Sequence, residues 1–165
     1  SLKNIGNEAF ANCVGLKEVE FANGLESIGA SAFGGCRSLA KINIPASVTL
    51  VEEEAFINCK GATKISFTKG CKATIGKSAF EGCEKLSEVE LREGMRVNER
   101  AFADCENLEK IIIDGAVNIK DDAFAGCGKL TVYIACKKGL LTPKWFTPKA
   151  FGRNAKIVWN YKAEA

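Results

Sequence analysis

Apolar side chains recur along the chain at two alternating spacings. In one kind of segment they come every second residue, as at Ile42 and Ile44, which is typical of a short strand with one buried face. In the other kind they come three and four residues apart, as at Ala32, Phe33 and Cys36, and this spacing places side chains on one face of a helical turn or two. The pattern therefore predicts short strands that alternate with short helices.

One strand and one helical segment together make a repeat unit of 22 to 24 residues. Each copy carries an Ala-Phe pair and, three residues after the Phe, a Cys. The pairs are Ala9/Phe10, Ala32/Phe33, Ala55/Phe56, Ala79/Phe80, Ala101/Phe102 and Ala123/Phe124, and the cysteines are Cys13, Cys36, Cys59, Cys83, Cys105 and Cys127. A period in the low twenties is typical of a solenoid, because so small a unit buries its apolar face only by stacking on its neighbours. We therefore expect an α/β solenoid with a parallel sheet on its concave side, short helices on its convex side and the Phe rings as a central spine.

The repeat unit also resembles a known family. The segment from Leu39 to Cys59 reads Leu-x-x-Ile-x-Ile-Pro-x-x-Val-x-x-Val-x-x-x-Ala-Phe-x-x-Cys, which is similar to the BspA-like leucine-rich repeat of the Treponema pallidum type. The resemblance extends over about residues 2–134. It implies a right-handed superhelix and a non-catalytic module that binds other proteins. It also implies a bacterial cell-surface or secreted protein with a role in adhesion or host interaction.

The register of the repeats breaks after Ile134. The next Ala-Phe pair, Ala150/Phe151, comes 27 residues after the previous one. In that last unit Asn154 takes the place of the Cys, and Ile157 takes the place of the Leu that usually follows the Cys by three residues. We expect residues 1–134 to form six repeats, the first of them truncated, and residues 135–165 to form an inserted loop and a degenerate C-terminal capping repeat.

The N-terminal end of the chain falls in the middle of a repeat. Leu2 stands at the repeat position that Leu25 and Val48 occupy in the following copies. We therefore expect the chain to be part of a longer protein, in which a signal or anchor could lie outside this sequence. Leu2 and Ile5 would then form an uncapped apolar end, and such a surface favours weak self-association.

Composition removes several classes of function. The 165 residues contain no run near the roughly 18 apolar residues of a membrane span. The net charge of +3 conceals a basic end, since residues 136–165 hold seven Lys or Arg and one Glu and leave the remainder at −3. The repeats therefore lack the basic stripe that nucleic acid requires. The chain has no His, so it has no Ser/His/Asp triad, Cys/His dyad or His-rich metal site. We expect no catalysis, no cofactor and no nucleic-acid partner.

Eight cysteines raise the question of disulfides or a metal site. The six in the repeats are 22 to 24 residues apart, which is farther than zinc ligands usually stand. In stacked units they would lie about 4.8 Å apart with parallel Cβ vectors, and this arrangement does not suit a disulfide. We expect buried, unpaired thiols there. Cys71 and Cys136 lie outside the pattern and are the candidates for reactive thiols.

The residues between the buried strand positions point outward from the predicted sheet and form a mosaic of charge. Glu18 beside Lys41, and Glu88 between Lys64 and Lys110, are expected to pair across neighbouring strands, and such exposed pairs can be purely structural. The alternative is protein recognition, because exposed apolar side chains beside charges supply the centre that an interface needs. The candidate protein-binding residues are Glu88, Glu90, Lys110, Ile112, Tyr133, Trp145 and Phe146. Two functions stay open: a module that binds another protein, such as a host matrix or cell-surface protein, and a structural spacer that carries another domain.

Overall fold

The computed structural model of the protein describes residues 2–135, 148–152 and 154–159. Six rungs of the solenoid begin with a two-residue strand and an Ala-Phe segment, and a longer strand follows in all of them but the first. In the described residues the seventh rung contributes the turn at Ala150/Phe151 and one longer strand. The two-residue strands are Asn4–Ile5 (β1), Ser27–Ile28 (β2), Leu50–Val51 (β4), Thr74–Ile75 (β6), Arg96–Val97 (β8) and Asn118–Ile119 (β10). The longer strands are Lys41–Ile44 (β3), Lys64–Phe67 (β5), Glu88–Arg92 (β7), Lys110–Asp114 (β9), Thr131–Ile134 (β11) and Lys156–Trp159 (β12). A 3-10 turn spans Pro148–Phe151.

The strands form two sheets, and every pairing in both sheets is parallel. The short-strand sheet has the order β1-β2-β4-β6-β8-β10, and the long-strand sheet has the order β3-β5-β7-β9-β11-β12. Each residue pairs with its counterpart one rung away, as Ile42 does with Ile65 and Ile28 with Val51. The longer strands begin with the alternation of exposed and buried residues that the period of two predicted, as in β3.

The segment around each Ala-Phe pair is a series of turns and not a helix. Its N–H groups alternate in direction: Gly34 donates within its own rung to the carbonyl of Ser31 (2.9 Å), whereas Phe33 donates to the carbonyl of Ala55 in the next rung (2.7 Å). An α-helix would direct all of these groups along its own axis. The residue two before each Phe also has a left-handed φ of 52° to 60°, which no α-helix accommodates. These residues are Glu8, Ser31, Glu54, Ser78, Arg100 and Asp122.

The expected α/β class and the expected helices on the convex side are therefore wrong. The described residues form a β-solenoid in which the 3-10 turn at residues 148–151 is the one helical element. The spacing of three and four residues did predict the buried positions, since Ala32, Phe33 and Cys36 are all fully buried. Successive turns return side chains to the same side of the backbone at intervals close to those of a helix, so that spacing does not distinguish the two.

The position two residues after each Phe alternates between a side chain and a glycine. In order along the chain it is Asn12, Gly35, Asn58, Gly82, Asp104 and Gly126. All six residues have a left-handed φ, from 54° to 73°. A methyl group at Gly82 would come 2.6 Å from Oδ1 of Asn58, and one at Gly126 would overlap Oδ1 of Asp104. Each Asn or Asp therefore uses space that only a glycine in the next rung leaves open.

A continuous stack of Phe rings fills the centre of the solenoid. Neighbouring rings lie 5.1 to 5.4 Å apart between centroids and are inclined by 3° to 21°. The stack runs through Phe10, Phe33, Phe56, Phe80, Phe102, Phe124 and Phe151. Burial of each inner ring contributes roughly 1.5 to 3 kcal/mol of transfer free energy, so the predicted spine is confirmed and extends one ring further, to Phe151.

The repeat cysteines are unpaired, as expected, and each of the last five hydrogen-bonds to the backbone of the preceding rung. The thiol of Cys59, for example, donates to the carbonyl of Phe33 at 3.2 Å. All seven cysteines in the described residues are free thiols, and burial raises the pKa of Cys59 to about 12. The expectation that Cys71 is reactive is wrong, because its side chain is fully buried and burial raises its pKa. The expectation that all six repeat thiols are buried is wrong for Cys13, which is exposed in the first rung. Cys136 lies outside the described residues.

Candidate protein-binding face

The outward side chains of the long-strand sheet lie in two rows that cross the strands. Parallel register aligns equivalent residues of successive rungs, so each row holds one residue from each strand. The first row is Lys41, Lys64, Glu88, Lys110, Thr131 and Lys156, and the second row is Asn43, Ser66, Glu90, Ile112, Tyr133 and Val158. We call this surface the long-strand face. Its N-terminal half belongs to β3 and β5, and its C-terminal half to β7, β9, β11 and β12.

Three apolar side chains are contiguous in the second row of the C-terminal half. Tyr133 lies in register with Ile112 on one side and with Val158 on the other. Tyr133 and Val158 are half-buried. Ile112 was expected to be exposed, but only 8% of it is accessible, and its neighbours in the row are Glu90 and Tyr133. The exposed apolar surface of this row therefore comes mainly from Tyr133 and Val158.

The charges of β7 and β9 are already paired with one another. Lys110 Nζ lies 2.8 Å from Glu88 Oε2 and 5.7 Å from the centre of the Tyr133 ring, a distance at which a cation is attracted to the ring face. Arg92 contacts Glu90 at 3.1 Å, and its Nε donates to the carbonyl of Phe67 at 2.7 Å. A partner that covers β7 and β9 would bury ion pairs, whereas Lys156 of β12 forms no ion pair with any described residue.

The N-terminal half differs in charge and in the spacing of its strands. Of the expected cross-strand pairs, Glu88–Lys110 forms, but neither Lys41–Glu18 nor Lys64–Glu88 is an ion pair. Between β5 and β7 the register is reduced to one pair, Ile65 with Val89. A groove of about 320 Å³ opens there, and it is lined by Thr63, Lys64, Ile65, Ser66, Phe67, Ser87, Glu88 and Glu90.

Comparison with known proteins places this geometry in a family. A family model for the BspA-type leucine-rich repeat region matches residues 3–131 as six copies. The chain belongs to the BspA-type leucine-rich repeat family. The resemblance read from Leu39 to Cys59 is thereby confirmed. A search of curated proteins gave no match.

Two solved structures resemble the chain. A leucine-rich repeat protein from Bacteroides ovatus matches at 23% identity and a TM-score of 0.57, with 96% of this chain covered and 51% of that one. The chain thus spans about half the length of that protein. A leucine-rich cell surface protein from Faecalibacterium prausnitzii matches at 19% identity and a TM-score of 0.32, with coverage of 98% and 70%. The first comparison supports the solenoid fold of this BspA-type chain.

The structure places five of the seven predicted site residues on one half of one face. Glu88, Glu90, Lys110, Ile112 and Tyr133 lie together on β7, β9 and β11. Trp145 and Phe146 lie outside the described residues.

Two residues of the face were missed in the BspA-type sequence. Val158 was missed because Ile157 was assigned to the Leu position, whereas the strand register pairs Ile157 with Val132. The spacing of two between Ile157 and Trp159, which leaves Val158 on the outward side, is the signal that could have found it. Arg92 was missed because it follows the alternating positions of β7.

The two ends of the BspA-type solenoid differ in how the core is covered. Phe151 is 3% exposed, whereas Phe10 is 43% exposed and Leu2 is 64% exposed. A hollow of about 210 Å³ at the first rung is lined largely by apolar side chains, among them Leu2, Ile5 and Phe10. Self-association through this end, and the capping role of the last unit, stay predictions.

The described part of the BspA-type chain offers no group for metal chemistry. Within it, no cluster of three or more His, Cys, Asp or Glu side chains could hold a metal ion. Its helical content also includes nothing long and apolar enough to cross a membrane. The long-strand face is thus the candidate site that its geometry favours most.

Proposed function

We propose that this chain is a non-catalytic protein-binding module and that its partner contacts the C-terminal half of the long-strand face. The residues assigned to this contact are Glu88, Glu90, Lys110, Ile112, Tyr133 and Val158, and the sequence assigns Trp145 and Phe146 to it as well. The observation that carries the proposal is the apolar row of Ile112, Tyr133 and Val158, which runs in register across three strands.

The surroundings of this row have the composition of an interface. Protein interfaces place apolar and aromatic side chains at the centre and polar groups at the rim, and Tyr is among the residues that most often dominate the binding free energy. Here Tyr133 is central, and the Glu88–Lys110 ion pair lies beside it. Because Lys110 already contacts both Glu88 and the Tyr133 ring, burial of this ion pair leaves neither of its charges without a partner.

The proposed setting is a bacterial cell-surface or secreted protein, and the proposed role is adhesion or host interaction. Membership of the BspA-type family supports this setting, because the resemblance implies surface proteins of that kind. A host matrix or cell-surface protein is then the expected class of partner.

A structural spacer is the second candidate, and it has an observation in its favour. The Phe stack runs from Phe10 in the first rung to Phe151 in the last, and each of the two parallel sheets links six successive rungs. This continuity suits a stiff rod that holds another domain at a distance. A spacer needs no exposed aromatic centre, so the contribution of Tyr133 to binding separates the two functions.

The test is binding of the purified chain to a panel of immobilised extracellular-matrix proteins, measured by surface plasmon resonance. We expect at least one protein to bind, and we expect Tyr133→Ala to weaken that binding about tenfold or more because the substitution removes the central ring. Leu50→Ala is the matched control, since Leu50 is an exposed apolar residue of the short-strand sheet. Equal loss in both variants, or no loss in Tyr133→Ala, would refute the assigned face, and no binding to any panel member would favour the spacer.

A further inference from the structure

The N-terminal half of the long-strand face carries two lysines at directly opposite positions. Lys41 of β3 pairs in register with Lys64 of β5, so the two side chains leave the sheet roughly 4.8 Å apart. Both residues are exposed, and neither forms an ion pair with any described residue. Like charges at directly opposite positions destabilise a sheet, so the fold gains nothing evident from this pair.

Another lysine in the same row has its charge balanced by an ion pair. Lys110 lies two strands from Lys64 and contacts Glu88 at 2.8 Å. Glu88 is also the neighbour of Lys64 in the row, but its carboxylate is held on the Lys110 side. Glu18, the acidic residue of the first rung expected beside Lys41, forms no ion pair with it either. The two lysines therefore place two uncompensated positive charges on adjacent strands of the face.

The groove beside Lys64 supplies room and further polar groups. It lies between β5 and β7, where a single residue pair is in register, and it has a volume of about 320 Å³. Side chains with hydroxyl groups, Thr63, Ser66 and Ser87, are among its lining residues. Glu88 and Glu90 also line the groove, and their carboxylates are paired with Lys110 and Arg92. The hydroxyl of Ser66 donates to Oδ1 of Asn43 at 3.0 Å, which leaves the amide nitrogen of Asn43 as a donor beside the lysines.

We propose that Lys41 and Lys64, with the adjoining groove between β5 and β7, form a second contact of the binding face that takes an Asp- or Glu-rich segment of the protein partner. The proposal rests on the protein-binding function proposed above and adds the chemistry of the partner. A carboxylate between the two ammonium groups would remove their mutual repulsion and gain two charge-assisted hydrogen bonds. The partner would then place acidic residues on one half of the face and an apolar anchor on the other.

The experiment measures binding of fluorescein-labelled octaglutamate to the purified chain by fluorescence anisotropy at low salt. We expect Lys41→Glu/Lys64→Glu to weaken binding about tenfold or more, because it reverses two charges at the contact. The control, Lys69→Glu/Lys72→Glu, makes the same change in net charge at two exposed lysines of the turn after β5 and should change binding less than about twofold. Tyr133→Ala should bind the probe as the parent does, so this test does not depend on the apolar half.

A second variant tests the groove without a change in charge. Ser87→Trp places an indole at the groove wall and should also weaken octaglutamate binding, with circular dichroism and thermal melting used to confirm that each variant is folded. The proposal is overturned if octaglutamate does not bind the parent, if the control double variant loses as much as Lys41→Glu/Lys64→Glu, or if Ser87→Trp binds unchanged. A heparin-derived octasaccharide is measured in the same way. If it binds more tightly than octaglutamate and depends equally on the two lysines, the partner is a sulfated glycan, and the assignment to an acidic protein segment is overturned.

Discussion

The two halves of the long-strand face share one scaffold and carry opposite chemistry. In the C-terminal half an apolar row passes through Tyr133 and the charges of β7 and β9 are paired among themselves, as Lys110 is with Glu88. In the N-terminal half the equivalent positions are polar, and Lys41 and Lys64 stand opposite each other without an acidic neighbour in contact. The buried positions are nearly constant from rung to rung, so the outward positions are the ones that the fold leaves free to differ.

The junction between the halves is tight on one side of the solenoid and open on the other. At the core the rings of Phe56 and Phe80 stack at 5.2 Å with an inclination of 5°, and at the turns Asn58 occupies the space above Gly82. On the long-strand face the same two rungs keep one registered pair and leave the groove. The halves are thus joined by their core and turns more than by their sheet.

Phe80→Ala should break the connection between the halves most severely. It removes a fully buried ring that touches the stack on both sides, and we expect a loss of about 3 to 5 kcal/mol in the free energy of unfolding. Chemical denaturation measures the loss. Phe10→Ala is the control, because that ring is 43% exposed at the end of the stack and should cost clearly less. Equal losses would show that the stack does not couple the halves.

Gly82→Ala should disturb the turn side of the same junction. The substitution places a side chain at a φ of 72° and 2.6 Å from Oδ1 of Asn58, and we expect a cost of about 1 to 3 kcal/mol. Gly70→Ala is the matched control, since Gly70 has a φ of 88° but no heavy atom near the added methyl group. The difference in melting temperature between Gly82→Ala and Gly70→Ala measures the cost of the close contact with Asn58. The double variant Asn58→Gly/Gly82→Ala removes that contact and should recover the lost stability.

Arg92→Ala should loosen the contact between β5 and β7, where the groove lies. Its guanidinium donates to the carbonyl of Phe67 and contacts Glu90, and loss of these hydrogen bonds should cost about 1 to 2 kcal/mol. Amide hydrogen exchange should accelerate in β5 and β7 and remain unchanged in β9 and β11. Arg96→Ala, at an exposed position of β8, should have almost no effect. Uniform acceleration across all four strands would contradict a local role for Arg92.

The sequence predicted the repeat, the buried positions and the strands, because these depend on residue spacing alone. It did not predict the turns. The side chains of Ala32, Phe33 and Cys36 have a spacing that a helix and a series of turns both satisfy, and the discriminating signal was the recurrence of Gly or Asn two residues after the Phe, as at Gly35 and Asn58, since these residue types favour left-handed φ.

The candidate site was less predictable than the fold. The outward direction of Ile112 followed from the alternation, but its burial was not predicted. Its neighbours Glu90 and Tyr133 are adjacent to it only across strands, and the spacing of residues along the chain does not report such contacts. The groove at β5 and β7 depends on how far the register of two strands extends, and no residue pattern reports that. The sequence places Glu88 between Lys64 and Lys110 and does not show which of the two it contacts. Only the structure shows that Glu88 pairs with Lys110 and leaves Lys64 without an ion pair among the described residues.

The alternation of side chain and glycine two residues after each Phe limits how many rungs can be gained or lost at once. Loss of the single rung that carries Gly82 would bring Asn58 directly beneath Asp104, and two side chains would then compete for a place that now holds one side chain and one hydrogen atom. Loss of that rung together with its neighbour would restore the order. Seen as a building block, the solenoid is therefore assembled from pairs of rungs, and viable insertions or deletions should come in twos.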